Sequence, residues 1–303
     1  DEDPYDTLGL TDLGRNGTRT DNFLMDFNRG VTVEFWMNKA EFIPSLTEKE
    51  VIFDLWNGET SGSDSYGRVT LYVSASADGS DPFRLNLFSG SSGQRDIVLN
   101  TSQTTGTLAD GNWHHYAVSI KNPTSGNDRI RVYLDGELKS TFTSSFNLGD
   151  VTGGIKARIG ALLTAPSGTT AVATAGKLSA SLDEFRYWKT ERSVENVAKY
   201  YRTNIYGGVN TDIANTELGA YYKFNEGISN IDTLDSVVLD YSGRISNGKW
   251  TGYPGSGARS TSSAIVLAGV APQEFKDPVI YKNHPDYIST LNALVASGSL
   301  HDS

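Results

Sequence analysis

The sequence predicts an all-β protein of two stacked antiparallel sheets, and three observations carry that expectation. Short runs alternate apolar and polar residues with a period of two. Gly, Ser, Asn and Asp separate the runs, as turns require. No strand–helix–strand rhythm interrupts them, which leaves sheet-on-sheet packing as the way to bury one face of each strand. Between residues 23 and 225 we count about eight to ten such runs.

In VTVEFWMN, Val31, Val33, Phe35 and Met37 share one face, and Thr32, Glu34, Trp36 and Asn38 the other. RVTLYVS sets Val69, Leu71 and Val73 against Arg68, Thr70 and Tyr72. FRLNLFS sets Phe83, Leu85 and Leu87 against Arg84, Asn86 and Phe88. GNWHHYAVSIKN holds two of the four histidines side by side. In a strand, His114 then lies with Tyr116, Val118 and Ile120, while His115 lies with Trp113, Ala117 and Ser119. The pair cannot chelate one metal or act as joint acid and base. We expect both to be structural, bonded to backbone or hydroxyl groups. RIRVYLDGELKS reads as a hairpin with Ile130, Val132 and Leu134 inward, because Asp135-Gly136 supplies the positive φ of a two-residue turn.

Two helices are expected. SVENVAKYYRT has a cap at Ser193 and apolar residues at Val194, Val197, Ala198 and Tyr201, giving one short helix after the sandwich core. HPDYISTLNALVASG places Pro285 early, a stripe of Ile288, Leu291, Leu294 and Val295, and Gly298 as a stop, giving a C-terminal helix. Gly/Ser/Thr-rich pieces at 58–67, 163–177 and 252–264 read as loops, and a composition break near Gly252–Ser263 sets the end of the chain outside the sandwich.

The 303 residues suffice for a sizeable core. A net charge of −10 with sparse basic patches disfavours nucleic acid and anionic membrane surfaces. No run of about 18 apolar residues exists, so membrane insertion is not expected. The absence of cysteine excludes disulfides and thiolate metal sites and suits folding in a reducing cytoplasm. The sequence opens at Asp1 and closes on SGSLHDS, and we expect a piece of a longer polypeptide.

GNWHHYAVSI, RVYLDGEL and SASLDEFRYWKTERSVENV, in that order, resemble the laminin-G-like jelly roll of the concanavalin A-like lectin/glucanase superfamily over residues 23–203. The resemblance implies a two-sheet jelly-roll sandwich, and its members bind sugars, bind proteins, hydrolyse glycans or assemble. A block from Leu218 to Trp250 looks like the segment that opens such domains, yet it follows here. It either closes the same sandwich in permuted order or begins a second, incomplete unit. We divide the chain into a lead-in at 1–22, a jelly roll at 23–251 (core 23–203, closing segment 218–251), and a linker with the C-terminal helix at 252–303. The phrases YYKFNEG, VVLDYSGRISNGKWTGY and FKDPVIYKNHPDYISTLNALVASGSLHDS look like segments of large tail or baseplate proteins of tailed phages infecting marine cyanobacteria. That likeness implies a virion component, with other virion proteins and host-surface polysaccharide as partners.

The resemblance also implies a candidate calcium site at the sandwich rim, at Asp183, Glu226, Asp240 and Asn247, since calcium takes hard oxygen ligands. The competing account is that Asp240, Ser242 and Gly243 only make a turn. The acidic loops SGSDSYG and SADGSDP have weaker claims and read as turns. For sugar, the non-aliphatic faces offer Trp36, Trp56, Tyr72, Asn86, Phe88, Arg131 and Tyr133, from strands we expect to neighbour in one sheet. The same groups also suit packing against a second layer or another subunit. Trp188 and Trp250 are assigned to packing within the fold. A glycanase needs two carboxylates roughly 5–9 Å apart, and IFDLWNGE and LDEFRYW lack the E-x-D-x-x-E spacing. No Ser-His-Asp order, nucleophile elbow or phosphate loop is present. The function expected is therefore a non-enzymatic structural domain of a phage tail or baseplate protein that contacts host glycans. The alternatives are a free-standing calcium-dependent lectin-like module and, last, an unrecognised glycoside hydrolase.

Overall fold

A computed structural model describes residues 22–42, 49–74, 81–123, 126–164, 176–205, 217–224, 237–243 and 246–249. The strands are β1 (Val31–Asn38), β2 (Lys49–Trp56), β3 (Gly67–Ser74), β4 (Phe83–Ser89), β5 (Ser92–Val98), β6 (Trp113–Lys121), β7 (Arg129–Leu134), β8 (Glu137–Thr143), β9 (Lys156–Ile159), β10 (Ser181–Trp188), β11 (Leu218–Tyr222), β12 (Val237–Val238) and β13 (Gly248–Lys249). Two helices accompany them, α1 (Thr105–Leu108) and α2 (Val194–Tyr200). A six-stranded sheet runs β11-β10-β1-β6-β7-β8, a five-stranded sheet runs β5-β4-β3-β2-β9, and β12 pairs with β13. Every pairing is antiparallel. Two stacked sheets in a jelly-roll sandwich are what the alternation requires.

The aliphatic faces predicted from the sequence meet in one core. Val33, Leu71, Val118 and Val132 are all buried in it, with Phe35, Phe53, Leu85 and Phe185. Aromatic rings join the layers: Phe53 of β2 meets Phe185 of β10 at 5.1 Å, and Phe83 of β4 meets Tyr116 of β6 at 4.7 Å. Such tilted pairs add to the burial of large apolar surface. The β7–β8 turn has φ of 52° at Asp135 and 78° at Gly136. Gly136 is required twice, since a Cβ there would also sit 2.6 Å from the Tyr201 ring.

α2 forms as its residues dictate. The Ser193 side chain accepts from the Asn196 amide at 3.1 Å, Glu195 lies in the first turn and Lys199 in the last. Its Val197 is buried against Ala117 and Tyr133, so the helix lies on the outer face of the six-stranded sheet. α1 was not expected. It is one turn capped reciprocally by Thr104 and Thr107, and only Leu108 is buried. β11 pairs with β10 at the edge of the six-stranded sheet, so the segment from Leu218 enters the same sandwich. The chain divides into Asp1–Ile265 and Val266–Ser303. The expected C-terminal helix, with Ile288, Leu291, Leu294 and Val295, lies outside the described residues, as does Trp250. Among the described residues no helix is long and apolar enough to cross a membrane.

Candidate functional site

The seven residues proposed for sugar do not share a sheet. Trp36, Arg131 and Tyr133 belong to the six-stranded sheet, and Trp56, Tyr72, Asn86 and Phe88 to the five-stranded one. The expectation that their strands neighbour fails because β1 pairs with β10 and β6, and not with β2.

On the six-stranded sheet the outward Trp36 and Tyr133 are covered. Trp36 donates its indole N–H to the Tyr201 carbonyl at 3.0 Å and stacks on the Tyr201 ring at 5.9 Å. Tyr133 is fully buried beneath α2. Arg131 is half-buried beside Glu191, which Arg129 also clasps. Neither Trp36 nor Tyr133 can reach a glycan, because α2 and the chain to Ile205 cover them. Beneath that cover lie buried charges. Arg186 donates to Glu184 at 2.9 Å and to the Thr203 carbonyl at 2.6 Å, with Glu34 at 3.8 Å. Trp188 donates its indole N–H to Glu34, and Arg192 stacks over the Trp188 ring at 4.0 Å. Burial alone would raise the Glu34 carboxyl, but His115, Arg186 and Arg192 outweigh it and hold the group at about 2.

The histidines separate as the strand period requires. His115 is buried, 3.5 Å from Glu34. His114, half-buried, lies between Asp135 at 2.7 Å and Asp110 at 3.2 Å. Their partners are carboxylates, not the backbone or hydroxyl groups expected.

The five-stranded sheet is different. Its outward side chains form cross-strand rows, set by the register. One row runs Lys156, Trp56, Arg68, Phe88 across β9, β2, β3 and β4. The next runs Arg158, Asp54, Thr70, Asn86, and further along the sheet Tyr72 opposes Arg84. Trp56, Asn86 and Phe88 are half-buried, and Asn86 Oδ1 accepts from the Asp96 amide at 2.8 Å. Trp56 and Phe88 stand roughly 10 Å apart, two strand spacings. Tyr72 departs from the expectation: it is buried, and its hydroxyl bonds Asp96, which Lys49 also holds. Burial and Asp96 push the Tyr72 hydroxyl up, and it offers no free ring face. Asp54 is fully buried and forked by Arg68 at 2.9 and 2.6 Å. Burial opposes the charge of Arg68, and the bonded Asp54 carboxylate more than offsets it, raising the guanidinium. The sequence had not marked the cations of this face as site residues, although alternation already set Arg68 and Arg84 opposite the aliphatic positions.

Of the calcium quartet, Asp240 and Asn247 are engaged in a turn. Asp240 Oδ1 accepts from the amides of Tyr221 (3.0 Å) and Ser242 (2.9 Å), and its Oδ2 from the Ser242 hydroxyl (2.8 Å) and the Ser246 amide (2.9 Å). Asn247 accepts from the Asp240 amide at 2.9 Å. Both oxygens of Asp240 thus face N–H and O–H donors, and its work is to pin the 237–249 segment to β11. Asp183 lies in β10, buried, and accepts from the Glu184 amide at 2.9 Å. Glu226 lies outside the described residues. Among the described residues no three His, Cys, Asp or Glu gather to hold a metal, and the quartet as a whole is not placed because Glu226 lies outside them.

A family model described as the concanavalin A-like lectin/glucanases superfamily matches residues 12–198, from the N-terminal segment into α2. No curated protein matches the chain. Among solved structures, a carbohydrate-binding protein of Bacteroides ovatus, so described provisionally, is 19% identical, with 74% of this chain and 52% of that chain covered and a TM-score of 0.44. This chain therefore spans about half of that protein's length. The heptameric SAP-like pentraxin of Limulus polyphemus is also 19% identical, over 58% of this chain and 70% of its own, at a TM-score of 0.36. The enzymatically active domain of tailspike protein 2 of bacteriophage CBA120 is 15% identical, over 68% and 28%, at 0.38.

Proposed function

The chain belongs to the concanavalin A-like lectin/glucanases superfamily, and from that premise we propose that it is a non-catalytic carbohydrate-binding module whose contact surface is the outer face of the five-stranded sheet. One observation carries this reading. Trp56 and Phe88 occupy a single cross-strand row on the outer face of the five-stranded sheet, half-buried, with Asn86 in the next row, where residues 162–164 close over Asp54. Aromatic rings take the apolar faces of sugars, and the neighbouring amide and guanidinium groups bond hydroxyls. Rigid strands present them with little ordering cost on binding. The two carboxylates of this face, Asp54 and Asp96, are each engaged by a cation, which favours binding over hydrolysis.

The finer reading keeps the virion. The phrases of the C-terminal third that look like phage tail and baseplate proteins favour a domain mounted on a tailed-phage particle, where it meets host-surface glycans and other virion proteins. Peptides of this chain should then be detected by mass spectrometry in purified particles. Their absence from intact particles would refute the virion role and leave a free-standing lectin-like module.

The binding reading is tested on a glycan array. Wild-type protein should retain at least one glycan class, and Trp56→Ala and Phe88→Ala should each lose it while keeping the wild-type circular dichroism spectrum. Binding that survives both changes would remove the five-stranded face from the account.

A further inference from the structure

The five-stranded sheet's outer face carries charge of the opposite sign to the chain. Its outward strand side chains include the cations Lys49, Arg68, Arg84, Lys156 and Arg158 and, by its contact with Phe88, Arg95, against the carboxylates Asp54 and Asp96, on a chain whose net charge is −10. The carboxylates are already neutralised: Arg68 lies 2.6 Å from Asp54 and Lys49 2.6 Å from Asp96. Two exposed cations lie over the two candidate rings. Lys156 Nζ lies over the Trp56 ring at 5.7 Å, as does the Arg68 guanidinium at 5.9 Å, and the Arg95 guanidinium lies over the Phe88 ring at 5.7 Å. Neither Lys156 nor Arg95 forms an ion pair with any described residue. A positive surface on an acidic protein sets up attraction for a polyanion, and fixed cations beside rings localise it.

Building on the carbohydrate-binding reading of this face, we propose that its ligand is an anionic polysaccharide carrying uronate carboxylates, laid along the row Lys156, Trp56, Arg68 and Phe88. Lys156 and Arg95, which lie over the Trp56 and Phe88 rings, meet the carboxylates that hexuronates carry, and the rings beneath them pack against the sugar. A planar guanidinium matches a planar carboxylate through two parallel N–H···O bonds, as Arg68 already does with Asp54 on this face. The rings alone would select any polysaccharide; the cations select the charged ones.

Calorimetry with the full chain and four probes tests this: polygalacturonate, dextran sulfate, a neutral galactan and an oligothymidylate. Polygalacturonate should bind tightest and weaken as sodium chloride rises, because exposed charges are screened. Lys156→Glu together with Arg95→Glu should weaken that binding by about tenfold or more, and Trp56→Ala should remove it. Both charged positions are exposed, and the salt series on wild-type protein needs no variant at all. If the galactan binds as well as polygalacturonate, with no effect of salt or charge reversal, the uronate class falls and carbohydrate binding stands. Preference for dextran sulfate or the oligothymidylate over polygalacturonate overturns the uronate assignment. If no polysaccharide binds, here or on an array, both readings fall together.

Discussion

His114 stands between Asp135 and Asp110, and its proton is therefore part of what holds β6 to the β7–β8 turn. The hydrogen bond to Asp135 comes first in raising it; burial works against this, and the Asp135 and Asp110 charges reinforce it, carrying the imidazole from 6.5 to about 9. The folded state thus binds the proton more tightly than the unfolded chain does. The resulting stabilisation is complete below about pH 6.5 and disappears as pH rises through about 9. His114→Gln should accordingly be less stable than wild type in urea melts at pH 6, and the gap should close by pH 10. A gap that stays constant across that range would show that the imidazolium contributes nothing. The strand period alone predicted that the two histidines part company, because β6 is regular over its length. Their partners were not legible. Asp135 sits 21 residues away and reaches His114 only through the β6–β7 register and the Asp135-Gly136 turn, where its other oxygen accepts from the His115 amide at 2.8 Å.

At the scale of elements, α2 and the chain behind it act as a lid on the six-stranded sheet, and Arg186 is the post beneath. Its guanidinium faces Glu184 and Glu34, both buried, and donates to the carbonyls of Tyr200, the last residue of the helix, and Thr203 beyond it. Burial alone would lower the guanidinium, yet Tyr221, Glu184 and Glu34 raise it. Removing one partner of such a buried group leaves uncompensated charge, at about 3–5 kcal/mol. Arg186→Ala should lower stability by that amount in denaturant melts, whereas a loss below about 1 kcal/mol would place the group in water rather than under a lid. Individual strands were legible because a two-residue period needs only local sequence. Their order across the sheets was not. β1 finds its neighbours β6 and β10 far along the chain, with Val33 opposite Val118 on one side and Tyr187 on the other. Trp36 and Trp56 therefore looked like companions, though they lie on different sheets. α1 escaped because one turn with a single buried residue leaves no periodic trace, and its Thr104–Thr107 cap lacks the acidic residue that usually signals a helix start.

Across the whole molecule, the two sheets share one core and use their outer faces differently, and this asymmetry makes a tryptophan contrast decisive. Trp36 is buried, bonded to the Tyr201 carbonyl and stacked on that ring. Trp56 is half-buried, and its indole N–H donates to the Glu59 carbonyl of the adjoining loop at 2.8 Å. Truncating a large buried ring costs about 3–5 kcal/mol, from lost burial and the cavity left behind. Trp36→Ala should therefore shift the unfolding midpoint by that much and leave glycan affinity unchanged in the fraction that remains folded. Trp56→Ala should do the reverse, losing the glycan with a stability change of about 1 kcal/mol or less, in the range of surface substitutions. Both variants are to be measured by denaturant melt and by binding in the same buffer. If Trp36→Ala abolished binding in protein that melts like wild type, the contact surface would have to move to the six-stranded sheet. The uronate assignment would then lose its surface, because its cations and its rings stand together on the five-stranded sheet alone.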